Sequence, residues 1–123
     1  MKIRINGNSV RIRLSRSEVD KFGAEGCLEE QTEFGNAVFI YALQSKKDID
    51  VLSASWVGNK MTMFVPEQII QKWVTTEKVG YDAHMPIGND KTLFLLLEKD
   101  FKCLDNTMME DQEDNFENPN KTC

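Results

Sequence analysis

The stretch Lys2-Ile3-Arg4-Ile5-Asn6-Gly7-Asn8-Ser9-Val10-Arg11-Ile12-Arg13-Leu14 decides how this chain is read. Apolar and charged residues alternate on both sides of Asn6-Gly7-Asn8, the period of a strand with one face buried and the other in water. The central Asn-Gly-Asn accepts the positive φ values of a tight hairpin turn. Residues 2–14 are therefore expected to form a β-hairpin. Val10, Ile12 and Leu14 face inward, while Arg11 and Arg13, with Lys2 and Arg4 on the neighbouring strand, leave the opposite face and form one basic patch.

Working outward, Ser15 is placed to cap a short helix with Glu18 as its capping-box partner, and Val19 and Phe22 fall on one helical face. Gly23 and Gly26 are expected to end it. A second strand pair, Leu28 to Phe34 and Ala37 to Leu43, turns at Gly35-Asn36 and completes a ββαββ unit. The same order then recurs: Val51 to Trp56, Gly58-Asn59, Met61 to Val65, a helix opened by Pro66, a strand near Val79 to Met85, and Thr92 to Leu97. Gly7-Asn8 maps onto Gly58-Asn59 at 58 − 7 = 51, an offset that also pairs Leu14 with Val65, Val19 with Ile70, Lys21 with Lys72 and Phe22 with Trp73. Gly35-Asn36 maps onto Gly88-Asn89 at 88 − 35 = 53, so the second copy has gained two residues in the preceding strand or turn. Trp56, ending a strand, and Trp73, at helical spacing from Ile70, read as core.

Four short strands and a two-turn helix cannot bury both their faces, so the halves are expected to close on one another. The predicted fold is α+β, mainly β: internally duplicated ββαββ units in one small barrel-like domain at residues 1–98, with repeat one at 1–45 and repeat two at 50–98. Residues 99–123 form an acidic tail. A chain of 123 residues buries roughly two thirds of its unfolded surface, so packing alone accounts for folding. Cys27, Cys103 and Cys123 are an odd number without a C-x-x-C pair, which reads as free thiols. The longest apolar runs, Ala37 to Leu43 and Leu93 to Leu97, fall far short of the ~20 residues of a membrane span. Charges interrupt the first twenty residues, so no secretory segment is read, and a cytoplasmic location without membrane contact is expected. Residues 1–21 carry six basic and two acidic side chains, net +4; residues 104–123 carry one basic and six acidic, net −5.

Gly7-Asn8-Ser9-Val10-Arg11-Ile12-Arg13-Leu14, followed by a short helix, a glycine and a two-strand segment, resembles the AbrB/MazE-type swapped-hairpin domain, in which two chains interlace. Here the second copy would supply the partner within one chain, over residues 1–98. That resemblance implies DNA binding through Lys2, Arg4, Arg11 and Arg13. The second copy departs from it, with Thr62 and Phe64 at the positions of Arg11 and Arg13 and Glu67 at that of Arg16. The whole chain also resembles a family of small bacterial proteins known only as a domain of unknown function, which implies no activity.

Two further constellations carry chemistry. His84, Cys103 and Cys123 are soft zinc ligands, with Asp82 able to complete a set, although structural zinc sites favour a close-spaced pair that is missing here. The same histidine and any cysteine are the only base and nucleophile available to covalent catalysis, without an identifiable orienting group. Asp111, Glu113, Asp114 and Glu117 lack the spacing and central glycine of a calcium loop. The reading is a non-enzymatic binding or interaction module without a cofactor, for an unknown protein or small ligand, monomeric or homodimeric. Its alternatives are a nucleic-acid binder gated by its acidic tail and a zinc- or thiol-dependent protein.

Overall fold

In the computed structural model, which describes residues 1–101, the elements follow as β1 (Lys2–Ile5), β2 (Ser9–Leu14), α1 (Arg16–Glu25), β3 (Cys27–Glu33), β4 (Val38–Lys46), β5 (Ser53–Val57), β6 (Lys60–Pro66), α2 (Glu67–Thr75), β7 (Gly80–Gly88) and β8 (Lys91–Lys99). The order hairpin, helix, hairpin thus occurs twice. Gly7 and Gly58 hold φ of 57° and 61° at the two first turns, a left-handed conformation that glycine adopts without a Cβ penalty. Ser15 caps α1: its hydroxyl accepts from the Glu18 N–H, and the Glu18 carboxylate accepts from the Ser15 N–H.

The strands form two four-stranded sheets ordered β1-β2-β8-β7 and β3-β4-β6-β5. Each sheet joins two antiparallel hairpins through a parallel central pair, β2 with β8 and β4 with β6. Asn8 and Asn59 occupy equivalent points on these seams. The Asn8 side-chain amide donates to the Thr92 carbonyl at 2.6 Å, and that of Asn59 to the Val38 carbonyl at 2.7 Å. Register repeats as well: Lys2 opposes Arg13 where Ser53 opposes Phe64, each 51 further on.

The core lies between the sheets and under the helices. Val10, Ile12 and Leu14 of β2 and Met61, Met63 and Val65 of β6 face each other across it, joined by Leu43, Leu95 and Leu97. Phe22 of α1 and Trp73 of α2 are fully buried. The helices approach at Gly23, where an added Cβ would lie 2.9 Å from Cγ2 of Val74. Gly23 and Val74 are themselves 74 − 23 = 51 apart, so one of two equivalent positions must be bare for the other to carry a side chain.

Four expectations are revised. The strands do not close into a barrel. No backbone ladder joins β1 to β3 or β5 to β7; side-chain contacts fill those seams, as where the Ala54 N–H meets Sδ of Met85 at 3.3 Å. Gly23 does not end α1, which continues to a left-handed cap at Gly26. Trp56 is not core: it is 61% exposed on the edge strand β5, beside the turn, stacked on Phe39 at 5.7 Å. The offset also changes a second time, since Ile40 opposes Lys60 where Phe94 opposes Ser9 and 94 − 40 = 54. Two residues are inserted between α2 and β7, and one more in the last turn. Of the tail expected at residues 99–123, Lys99 still belongs to β8, and everything from 102 onward lies outside the described residues.

Replacing Phe22 or Trp73 with alanine is expected to cost about 3–5 kcal/mol through lost burial and the residual cavity. Urea denaturation checks this, and an unchanged midpoint in either variant would remove that side chain from the core.

Candidate nucleic-acid interface

The four predicted cations do share a face. Antiparallel pairing of β1 with β2 sets Lys2 opposite Arg13 and Arg4 opposite Arg11, while Ile3 and Ile12, one residue out of phase, point into the core. The parallel ladder extends these rows onto β8, and β7 completes them. One row reads Lys2, Arg13, Glu98, Gly80; the next reads Arg4, Arg11, Leu96, Asp82; the third sets Ser9 beside Phe94 and Phe94 beside His84.

Electrostatics follow from that register. Like charges directly opposed across strands destabilise a sheet, and here two such pairs adjoin. Glu98 answers them from β8: its carboxylate lies 2.6 Å from Nε of Arg13 and 3.6 Å from Nε of Arg11. Lys2 pairs with Asp100 at 2.9 Å. Among the described residues Arg4 enters no ion pair. Both acids come from the end of β8, more than eighty residues along the chain from their partners. Sequence spacing therefore could not reveal them. The corresponding positions in the second half are Ser53, Ser55, Thr62 and Phe64, so the other sheet presents no such patch.

His84 stands exposed on this outer face, its ring 4.9 Å from that of Phe94. Its proposed zinc partners Cys103 and Cys123 lie outside the described residues. Cys27 is exposed on β3, in the other sheet. Among the described residues no group of three histidine, cysteine or acidic side chains is arranged to hold a metal, and no helix is long and apolar enough to cross a membrane.

A separate titratable cluster joins the two sheets at β1 and β3. The Met1 α-ammonium pairs with Glu18 and, at 3.0 Å, with Glu30, and the Tyr41 hydroxyl donates to the Met1 carbonyl at 3.4 Å. Burial alone would lower the ammonium, but the two carboxylates outweigh it and raise its pKa. Burial likewise pushes against ionised Glu18, yet hydrogen bonds from the ammonium and Ser15 leave its carboxyl below the ordinary range. Burial, then the Glu30 charge, raises the Tyr41 phenol.

These shifts fix opposite limits on one contribution to stability. The lowered Glu18 contributes above its ordinary value of 4.5 and is lost as pH falls through its folded pKa. The raised ammonium contributes fully below its ordinary value of 8.0 and is lost as pH rises through its folded pKa. Glu18→Gln is therefore expected to destabilise most between these values and progressively less on either side. Urea unfolding across pH tests this, and a pH-independent difference would exclude the linkage.

The model of a family of unknown function (DUF7009) matches residues 1–120. No curated protein and no solved structure matches the chain.

Proposed function

The chain belongs to that family of unknown function, and from its geometry we propose that it is a non-enzymatic binding module whose ligand is a nucleic acid held on the outer face of the β1-β2-β8-β7 sheet. The observation that carries this reading is the pair of like-charged cross-strand couples, Lys2 with Arg13 and Arg4 with Arg11, on an open sheet face. Four cations against Glu98, Asp100 and, further along the row, Asp82 leave a local excess of one, in a chain whose formal net charge is −5. A polyanion relieves the repulsion that the sheet otherwise bears. Phosphate contacts supply most non-specific affinity and make it fall steeply with salt.

We also infer that residues 1–98 are a tandem duplication acting as one unit. The recurring element order and the hairpin register displaced by 51 support it. The exchange of hairpins across the parallel ladders supports the likeness to swapped-hairpin domains. Divergence after duplication would then account for one sheet face being basic and its counterpart uncharged at the same positions.

Replacing both Arg11 and Arg13 with glutamine is expected to weaken binding of duplex and single-stranded DNA alike and to reduce the slope of log affinity against log salt by about one per phosphate contact removed. Fluorescence anisotropy at several salt concentrations measures it. Absence of binding by the intact chain and by a chain ending after Leu104 at about 50 mM salt, the regime where electrostatic association is strong, would overturn the reading.

The acidic residues from Asp105 to Glu117 lie outside the described residues; the last described residues, up to Phe101, run beside the patch. The Asp100 N–H donates to the Leu14 carbonyl at 2.9 Å while the Asp100 carboxylate holds Lys2. In this reading the acidic stretch competes with nucleic acid for the cations, within a screening length of about 8 Å at physiological salt. A chain ending after Leu104 is expected to bind more tightly than the full chain at low salt, with the gain fading as salt rises. Equal affinity of both chains would remove the stretch from the mechanism.

A further inference from the structure

Resting on the nucleic-acid reading, we infer that this face takes single-stranded rather than duplex nucleic acid, with a base stacked on the paired rings of His84 and Phe94. The two residues are direct cross-strand partners on β7 and β8, with ring centroids 4.9 Å apart and planes tilted by 45°. Ser9 is the neighbour of Phe94 on β2. Its hydroxyl is turned back onto the Asn6 carbonyl at 2.8 Å, so no large side chain covers the aromatic pair from that side. His84 is exposed, which presents π-surface to the solvent face of the sheet.

Position relates this pair to the cations. The His84–Phe94 row lies two residues along the strands from the row containing Arg4 and Arg11, about 7 Å, and adjacent strands are about 5 Å apart. One nucleotide can therefore set its base on the rings while its phosphate reaches Arg11. Asp82 occupies the β7 position of the neighbouring row and repels phosphate there, which keeps the backbone over β1 and β2. A duplex offers its phosphates and the base edges in its grooves but no free base face, since its bases are stacked on one another. Single strands expose base faces, and stacking on protein aromatics adds to the electrostatic attraction without requiring a particular sequence.

The outer-face aromatic pair and the four cations meet on the same sheet. The positions matching Phe94 and His84 in the other sheet are Ile40 and Gln31, which also oppose each other, and that sheet lacks the four cations. A purely structural cross-strand pair would stabilise the sheet without altering which nucleic acid is bound, so the two roles separate experimentally.

Anisotropy titrations of the full chain with a labelled mixed-sequence DNA single strand, and with the duplex of the same sequence, test the inference. The single strand is expected to bind more tightly. Phe94→Ala should weaken it about tenfold while changing duplex affinity less than about threefold, by the contribution of one stacked base. Phe94→Tyr should retain the preference, and His84→Ala should reduce it. Urea midpoints verify that each variant is folded, with Phe94→Leu as the substitute should Phe94→Ala unfold. Equal affinity for both forms, or a preference untouched by these changes while Arg11→Gln with Arg13→Gln abolishes binding, would overturn the stacking inference and leave the nucleic-acid reading standing. Failure of both probes to bind would overturn the stacking inference and the nucleic-acid reading together.

Discussion

Everything in this molecule depends on two parallel strand pairs, β2 with β8 and β4 with β6. A lone two-stranded hairpin is at best marginal in water, because it has too few neighbours to cover an apolar face. Each of the four hairpins escapes that limit by docking its inner strand against a hairpin from the other half of the chain. Neither half holds a complete sheet. The ladder between β2 and β8 joins residues 85 apart, as Ser9 opposite Phe94 shows, so chain closure must precede its reward. Asn8 and Asn59 fasten the starts of the two ladders with equivalent side-chain bonds, where a slip by one residue would turn every buried side chain outward.

The helices complete what the ladders begin. Linking each outward-running strand to the hairpin in the opposite sheet, α1 and α2 meet over one end of the core, with Phe22 and Trp73 beneath them. Where α1 packs on α2, two positions displaced by 51 come face to face, and side chains on both would clash. Gly23 opposite Val74 is the solution. A glycine inside a helix costs roughly 0.5–1 kcal/mol relative to alanine, a cost offset here by the close approach of two helices that each bury a large aromatic ring.

Much of this was legible in the sequence because it is local. Alternation located the strands, Gly-Asn pairs located the turns, and Ser15 with Glu18 located the first helix start. The offset of 51 carried through the first hairpin and the helix of each half, and gave way to 53 and 54 in the second hairpin. What stayed hidden depends on which strands become neighbours across long separations. Trp56 satisfies the inward phase of a strand, but phase does not reveal that β5 is an edge strand with nothing covering its tip. Gly23 reads as a helix stop until a second helix is placed against it. Glu98 and Asp100 as counter-charges, and His84 beside Phe94 within reach of the arginines, exist only once β8 is laid between β2 and β7.

That placement also explains how a basic face can persist on this scaffold. Outer-face residues lie outside the shared apolar core, and the two sheets differ there: Lys2, Arg4, Arg11 and Arg13 on one, Ser53, Ser55, the buried Thr62 and Phe64 on the other. Crowding cations into opposed pairs carries a repulsive cost, and the hairpin that bears them contains no acidic residue to offset it. Compensation arrives from the far end of the chain through the parallel ladder, which sets Glu98 against Arg13 and Arg11 and leads Asp100 to Lys2. The ladder that makes the fold possible is therefore the same contact that makes the charged face tolerable. Neutralisation is partial, since Arg4 enters no ion pair among the described residues.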